Sequence, residues 1–359
     1  MRDSTHEISP LATPVTGPPL KEYTTLRLGG PARELVTAAV EDDLLAALRG
    51  ADGPVLVLAG GSNVVVDDAG FPGTVILLRT RGIRAGTDGD RVQLTVAAGE
   101  PWDEVVAAAV ANGWSGLECL SGVPGSAGAT PIQNVGAYGQ EVAETIVAVR
   151  VYDRLCDEVV TMAPAECRFA YRTSVFKYND RYVVLSTDFS LAASPLSAPI
   201  RYDELARMLG VELGARVPLA QARAAVLALR AGKGMVLDGA DPDTYSAGSF
   251  FTNPVLDGPG FAALRARAAD AGVPPAYPAE DGGVKVSAAW LIDRAGFVKG
   301  YGHPGTGVAI SGKHTLALTN RGTGSTAALL DLAREIQAGV SARFGLTLHP
   351  EPVLVSCAL

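Results

Sequence analysis

The sequence predicts an α+β protein, a β-rich first part followed by a helix–strand module. Three observations carry this. Strands and helices mix without regular βαβ alternation, so a doubly wound sheet is not indicated. The composition changes after about Pro199, where Ala-, Leu- and Arg-rich helical segments take over. No GxGxxG occurs in the chain, which removes the usual Rossmann dinucleotide fingerprint. With 359 residues the chain has room for two or three domains of roughly 100–200 residues each. Its hydrophobic content of 48% against 19% charged residues supports a packed core rather than disorder.

In chain order, strands are expected at 35–39 and 55–59 with a short helix over 42–48 between them, then strands at 74–78 and 92–97. Pro101 opens a helix that Gly113 stops, with Val105, Val106, Ala109 and Val110 on one face. Strands follow at 146–152, 158–162 and 182–191. In the second part, helices are expected over 219–231 and 259–271, and from a Ser287 cap through Ile292. Short strands are expected at 308–310 and 315–319. The longest helix opens at Thr323 or Ser325 and carries Leu329, Leu332, Ile336 and Val340 on one side until Gly345. A strand at 353–355 closes the chain.

The formal net charge of -8 argues against nucleic acid as the main partner, because phosphate backbones are held by clustered Lys and Arg. No apolar run approaches the roughly 20 residues of a membrane span. The first residues carry no apolar h-region, and their Pro, Ser and Thr content is read as a loose extension over 1–19. Cys119, Cys156, Cys167 and Cys357 form no CxxC pair and no metal spacing, and neither do His303, His314 and His349, so no metal site is expected. Idle thiols in a reducing cytoplasm is the reading.

The loop 120–139 is dense in glycine (122, 125, 128, 136 and 139) and stiffened by Pro124 and Pro131. Apolar Val123, Ile132, Val135 and Tyr138 distinguish it from a flexible linker. Glycine lets backbone approach a ligand closely, so this reads as an ordered loop offering amides to a phosphate, with tight structural turns as the alternative. A second cradle follows the strand at 55–59, where Gly60, Gly61, Ser62 and Asn63 combine bare amides with short polar side chains.

Three side chains stand out for chemistry. Arg172 lies among Phe169, Tyr171, Val175 and Phe176, either snorkelling outward or held inside to grip a carboxylate. Ser249 is wedged between Gly248 and two Phe, with no GxSxG elbow and no adjacent His to make it a hydrolase nucleophile. Glu351 sits between two prolines at the mouth of the closing strand, as a shifted acid or a solvated strand end. Lys233, just past a helix, is a solvated Lys or a phosphate partner.

Taken together, the ordered blocks 25–32, 59–63, 122–139, 171–177, 247–254, 290–296, 311–320 and 349–352 resemble the UDP-N-acetylenolpyruvoylglucosamine reductase family, flavoenzymes of peptidoglycan synthesis. The likeness spans 24–355. It implies a flavin-binding region of the PCMH (vanillyl-alcohol-oxidase) type over 20–200, with subdomains near 20–80 and 81–200. A linker helix and substrate-binding domain would follow over 201–348, and 349–359 would return to the flavin region as a strand. FAD would be held noncovalently by Gly60, Gly61, Ser62, Asn63, Gly125, Ser126, Gly128, Ala129, Thr130, Ile132, Asn134, Gly136, Ala137, Tyr138 and Gly139. NADPH would reduce the flavin and leave, and UDP-N-acetylglucosamine enolpyruvate would then take its place at the same site and be reduced to UDP-N-acetylmuramate. The process feeds cell-wall synthesis, and through it cell shape and division. The enzyme would act as a cytoplasmic monomer, with no nucleic-acid or membrane partner.

The resemblance also implies roles. Arg172 and Glu351 match the pair that stabilises the charge developing on the substrate carboxylate. Ser249 matches the proton donor to the adjacent carbon. Tyr171, Lys233 and Asn253 match substrate-binding positions, and Tyr202 more loosely matches a Tyr that closes over substrate. Two departures stand beside this: Ala129-Thr130 replaces a pair of small hydroxyl residues, and Arg294 stands where some members carry Gln. The rival readings are another oxidoreductase of the same flavin fold, with Cys119 as the one candidate tether near the loop, and a UDP-sugar-binding protein without catalysis.

Overall fold

The computed structural model describes residues 17–279 and 282–359. The expected N-terminal extension therefore falls, for 1–16, outside the described residues. Its last residues are not loose: the Pro18 carbonyl accepts from the Ala32 amide at 3.0 Å, and Pro19 bridges Pro31.

The first unit contains β1 (Ala32–Ala38), α1 (Glu41–Gly50), β2 (Val55–Leu58), β3 (Val64–Val66) and β4 (Phe71–Leu78). Strands β1, β4 and β2 form a small parallel sheet in that order. β4 is central, and from Gly73 to Leu78 every residue is buried, as expected for a parallel strand covered on both faces.

The second unit is an antiparallel sheet, the arrangement that a chain without βαβ alternation favours. It comprises β5 (Ile83–Asp88), β6 (Arg91–Ala97), β7 (Trp114–Ser115), β10 (Ile146–Asp153), β11 (Glu158–Met162) and β12 (Tyr182–Ala193), with main order β11-β10-β12-β6-β5 and β7 on the end of β12. Helix α2 (Trp102–Ala111) covers it, and fully buried Trp102 packs on Phe189 at 5.8 Å between ring centroids. Between α2 and β10 runs the glycine-rich loop, with β8 (Gly136–Ala137) and β9 (Gln140–Glu141) as a small hairpin. The short helix α3 (Pro164–Cys167) precedes the Tyr171–Arg172 segment.

Helices α4 (Asp203–Leu209) and α5 (Leu219–Gly232) form a separate apolar cluster, with Ile200, Leu205, Ala222 and Val226 packed on Cys119 and Tyr138. They therefore pack on the glycine-rich loop.

The last unit holds β13 (Val255–Leu256), α6 (Gly258–Arg267), β14 (Ala276–Pro278), β15 (Val284–Val286), α7 (Ala288–Arg294), β16 (Val308–Ile310), β17 (Leu318–Asn320), α8 (Thr326–Phe344) and β18 (Val353–Val355). Ser287 caps α7 by accepting from the Trp290 amide, and Ser325 caps α8 by accepting from the Ala328 amide, each worth about 1 kcal/mol. Gly345 ends α8 in the left-handed region at φ 69°, where a side chain would be strained.

Several contacts fasten this unit to the first. β18 pairs in parallel with β3, and the Asp68 carboxylate accepts the Thr326 and Ala327 amides at the N-terminus of α8, where a negative charge is favoured. Thr25 spans the same seam: its amide donates to the Gly61 carbonyl and its hydroxyl to the Ser246 carbonyl.

Candidate functional site

The two glycine turns meet. A Cβ on Gly60 would lie 2.7 Å from the Gly125 Cα, and a Cβ on Gly125 would lie 2.8 Å from the Ser62 Oγ, so neither position has room for a side chain. The Ser62 hydroxyl donates to the Pro124 carbonyl at 3.2 Å, and the Asn63 amide to Gln133 Oε1 at 2.7 Å. Among the described residues, the backbone amides of Gly60, Gly61, Ser62, Asn63, Gly125 and Ser126 have no acceptor. The buried Ser126 hydroxyl has no hydrogen-bond partner there either. A buried polar atom without a partner is costly, so a ligand rich in acceptor oxygens suits this spot. The turns open on a cleft of about 390 Å³ whose walls include Tyr23, Thr25, Arg79 and Pro101. A pyrophosphate-bearing nucleotide fits these donors in kind.

The rest of the loop works differently from the amide cradle expected along its length. The amides of Gly128, Ala129 and Thr130 are taken by the carbonyls of Ala98, Ser126 and Ala127, so these residues offer a ligand shape and no free N–H. Asn134, buried at φ 46°, donates to Glu141 and the Ala170 carbonyl and accepts from the Ala143 amide. The Ile132 carbonyl accepts from Ser174. Gly136 packs on Arg172, and its hairpin neighbour Ala137 leads to Tyr138 and Gly139, which lie against Tyr202 and Arg201. The loop thus connects the cradle to two side-chain clusters.

In the first cluster Arg172 Nε lies 3.3 Å from Glu351 Oε1, with both side chains largely buried. Arg172 sits at φ 55° and donates from Nη2 to the Gly136 carbonyl at 2.8 Å. Burial pushes the Glu351 carboxyl above its ordinary value, opposed by the nearby charges of Arg172 and Lys177. Burial in turn lowers Lys177, whose ammonium donates to the backbone carbonyls of Arg172 and Glu351. Tyr171 lies between two cations, 5.2 Å from Arg172 Cζ and 4.6 Å from Lys285 Nζ. Asn253 accepts the Ala288 amide at the start of α7 at 2.9 Å.

Ser249 begins the second cluster. It follows Gly248 (φ 77°), and its neighbour Phe250 is tied on both sides: the Phe250 amide donates to the Leu316 carbonyl at 2.7 Å, and its carbonyl accepts from the Glu351 amide at 2.8 Å. This binds the backbone next to Ser249 to Glu351, while the Ser249 side chain lies opposite His314, Oγ to Nε2 3.5 Å. Lys233, at the end of α5, pairs with Glu204 and lies 5.7 Å from the Tyr138 ring, while Tyr138 and Tyr202 meet edge to face at 5.4 Å.

Three participants escaped the sequence reading. Gln133 accepts from Asn63 and reaches Glu351 at 3.4 Å, so it joins the glycine cradle to the acid. Lys285 gave no motif signal. His314 has no metal spacing, and no local pattern marks it. Arg294, one of the two departures, stays half-exposed at the end of α7 beside Asp293.

Residues 241–355 match the UDP-N-acetylenolpyruvoylglucosamine reductase C-terminal domain family, and residues 32–161 match an FAD binding domain family. The chain is 66% identical over 345 residues to the UDP-N-acetylenolpyruvoylglucosamine reductase of Salinispora arenicola, covering 95% of both chains. It is 57% identical to that of Thermobifida fusca, covering 95% of this chain and 98% of the relative. A crystal structure of UDP-N-acetylenolpyruvylglucosamine reductase from Thermus caldophilus superposes with a TM-score of 0.64 at 27% identity, over 94% of this chain and 97% of that one. The chain belongs to the UDP-N-acetylenolpyruvoylglucosamine reductase family.

Proposed function

We propose that this chain is an FAD-dependent oxidoreductase that uses NADPH to reduce UDP-N-acetylglucosamine enolpyruvate to UDP-N-acetylmuramate in peptidoglycan precursor synthesis. The observation that carries the reading is the Arg172–Glu351 pair, joined through Gln133 to a glycine cradle suited to a dinucleotide, with the Ser249–Phe250 backbone bound alongside Glu351. Bound flavin supplies a hydride to the vinyl carbon of the substrate. The negative charge that develops on the enolate and its carboxylate is met by the Arg172 guanidinium. Glu351, paired with Arg172, polarises the same oxygens, and its burial favours the protonated form that can donate to them. Ser249 delivers a proton to the carbon next to the carboxylate.

Residues 20–200 hold the flavin and 201–348 form the substrate domain, with the last strand returning to the first unit. Lys233 exchanges Glu204 for the substrate diphosphate, and the Asn253 amide, its oxygen already occupied by Ala288, turns its NH₂ toward the same group. Tyr171 lines the substrate site, and Tyr202, 41% exposed beside Tyr138, closes over it. NADPH and the enolpyruvyl substrate occupy this one site in turn.

The flavin is held without a covalent bond: Cys119 is buried, and its thiol is pushed up to about 12 by burial, which removes the thiolate that a tether needs. Flavin left in the pellet after acid precipitation would overturn this point. We further infer a monomer acting in the cytoplasm, which sedimentation and fractionation test. The deciding experiment is to follow NADPH oxidation by the flavin-loaded protein with and without the enolpyruvyl substrate. The expected result is substrate-dependent turnover to UDP-N-acetylmuramate. A protein that refuses added FAD, or one that oxidises NADPH without consuming substrate, defeats the proposal.

A further inference from the structure

The reading of Ser249 as proton donor leaves a chemical gap. A serine hydroxyl is a weak acid, and the alkoxide it becomes needs a partner in a site partly shut off from water. Ser249 Oγ and His314 Nε2 face each other at 3.5 Å, and both are fixed by backbone. Ser249 precedes Phe250, whose amide is bound to the Leu316 carbonyl. His314 sits in a tight turn, its amide donating to Ser311 Oγ at 3.3 Å and its carbonyl accepting from the Ala317 amide at 3.1 Å. The Phe250–Leu316 bond therefore holds the two side chains opposite each other.

The charged groups around the imidazole are Lys233 and Arg230 from α5, Lys299 from the segment after α7, and Glu204 from α4. Burial first, and then three cations against one carboxylate, lower the ring's pKa to about 4. A neutral imidazole carries one N–H, and it cannot serve as the source of the proton that reaches substrate.

We propose that His314 is a positioning residue for the proton transfer: as a neutral ring protonated on Nε2, it donates a hydrogen bond to Ser249 Oγ. That bond turns the serine O–H away from His314 and toward the substrate carbon, and it stabilises the alkoxide left behind. In the step, the Ser249 O–H bond breaks as a C–H bond forms at the enolate carbon, whose electron pair takes the proton. The alkoxide keeps its electron pair, accepts the His314 N–H, and regains a proton from water when product leaves. This inference rests on the Ser249 role given above.

The test uses full-length, flavin-loaded enzyme, reduced with NADPH and mixed anaerobically with UDP-N-acetylglucosamine enolpyruvate. Flavin reoxidation is read against substrate concentration. His314→Leu should slow the saturated reoxidation rate by about 100-fold, the cost of removing one donor from a developing oxyanion. The half-saturating substrate concentration and the NADPH half-reaction should change little. His314→Gln, which keeps an N–H donor at similar reach, should recover to within about 10-fold of wild type. Independently, ¹⁵N-histidine NMR of the wild-type holoenzyme should show a ring that stays neutral down to pH 5 with its proton on Nε2.

A ring protonated on Nδ1 instead overturns the inference, as does a His314→Leu effect confined to half-saturation, which would make His314 a substrate-binding group. The two proposals fail separately. Full reoxidation in Ser249→Ala removes the proton-donor reading itself, whereas a slow Ser249→Ala beside an unimpaired His314→Leu removes this inference alone.

Discussion

The glycine cradle and the groups around Arg172 and Ser249 present their hydrogen-bond donors by opposite means. At Gly60–Asn63 and Gly125–Ser126 the donors are backbone amides and a serine hydroxyl, and the shape comes from absent side chains. Arg172, Glu351 and Ser249 are instead side chains from three distant segments, Arg172 paired with Glu351 and Ser249 set one residue from the Phe250–Glu351 backbone bond. The difference teaches which property each region controls. Damage to the cradle should change whether flavin is held, and damage to the cluster should change what happens to substrate once flavin is reduced.

The sharpest division is expected at Ser249. Ser249→Ala should leave the NADPH half-reaction within about twofold and slow flavin reoxidation by enolpyruvyl substrate about 1,000-fold, within the range of a positioned proton donor. Stopped-flow absorbance of the two half-reactions measures this, and a parallel loss in both would break the comparison. Gly60→Val attacks the other side. Its Cβ would already crowd the Gly125 backbone, so overpacking of about 1–3 kcal/mol should weaken flavin retention roughly 10- to 100-fold. Titration of apoprotein with FAD checks it, and unchanged affinity would show that the two turns can part without cost. Arg172→Lys is milder. It keeps the charge but loses the planar fork that reaches both Glu351 and the Gly136 carbonyl, and reoxidation should slow about 10-fold with flavin affinity unchanged.

The same contrast governs what the sequence made visible. The cradle could be read because Gly, Pro and Ser act on the backbone where they stand, and the caps at Ser287 and Ser325 were visible for the same reason. The inward turn of the Gly128–Thr130 amides was not, since it depends on carbonyls of Ala98 and of the loop itself. β5 escaped because all six of its residues are exposed on a sheet edge, leaving no alternation to read. The strand expected at 315–319 begins instead at Leu318, because the Ala317 amide bonds back to His314 and keeps the preceding residues in a turn. For the cluster, residue types pointed to Arg172, Ser249 and Glu351 only with the family resemblance beside them. Gln133, Lys285 and His314 matter through contacts across the fold, which no local pattern encodes.

The smallest effect expected is on stability, and it concerns the acid of the cluster. Burial raises Glu351 above its ordinary value of 4.5 even though Arg172 and Lys177 oppose the shift. A folded state that holds this proton more tightly than the unfolded chain loses stability as pH rises from about the unfolded value through the folded one, and the loss then levels off. Ionising the buried carboxyl therefore costs stability, and the cost grows as pH rises through the folded value. Glu351→Gln removes the titration while preserving shape. Compared without substrate, the variant and wild type should melt within about a degree of each other near pH 4, and the variant should pull ahead by a few degrees as pH rises toward neutrality. Thermal melts across that range, monitored by flavin release and by circular dichroism, read the difference. A gap that narrows with rising pH would mean that the Arg172 and Lys177 charges outweigh burial, and that Glu351 meets the substrate as a carboxylate with no proton to share.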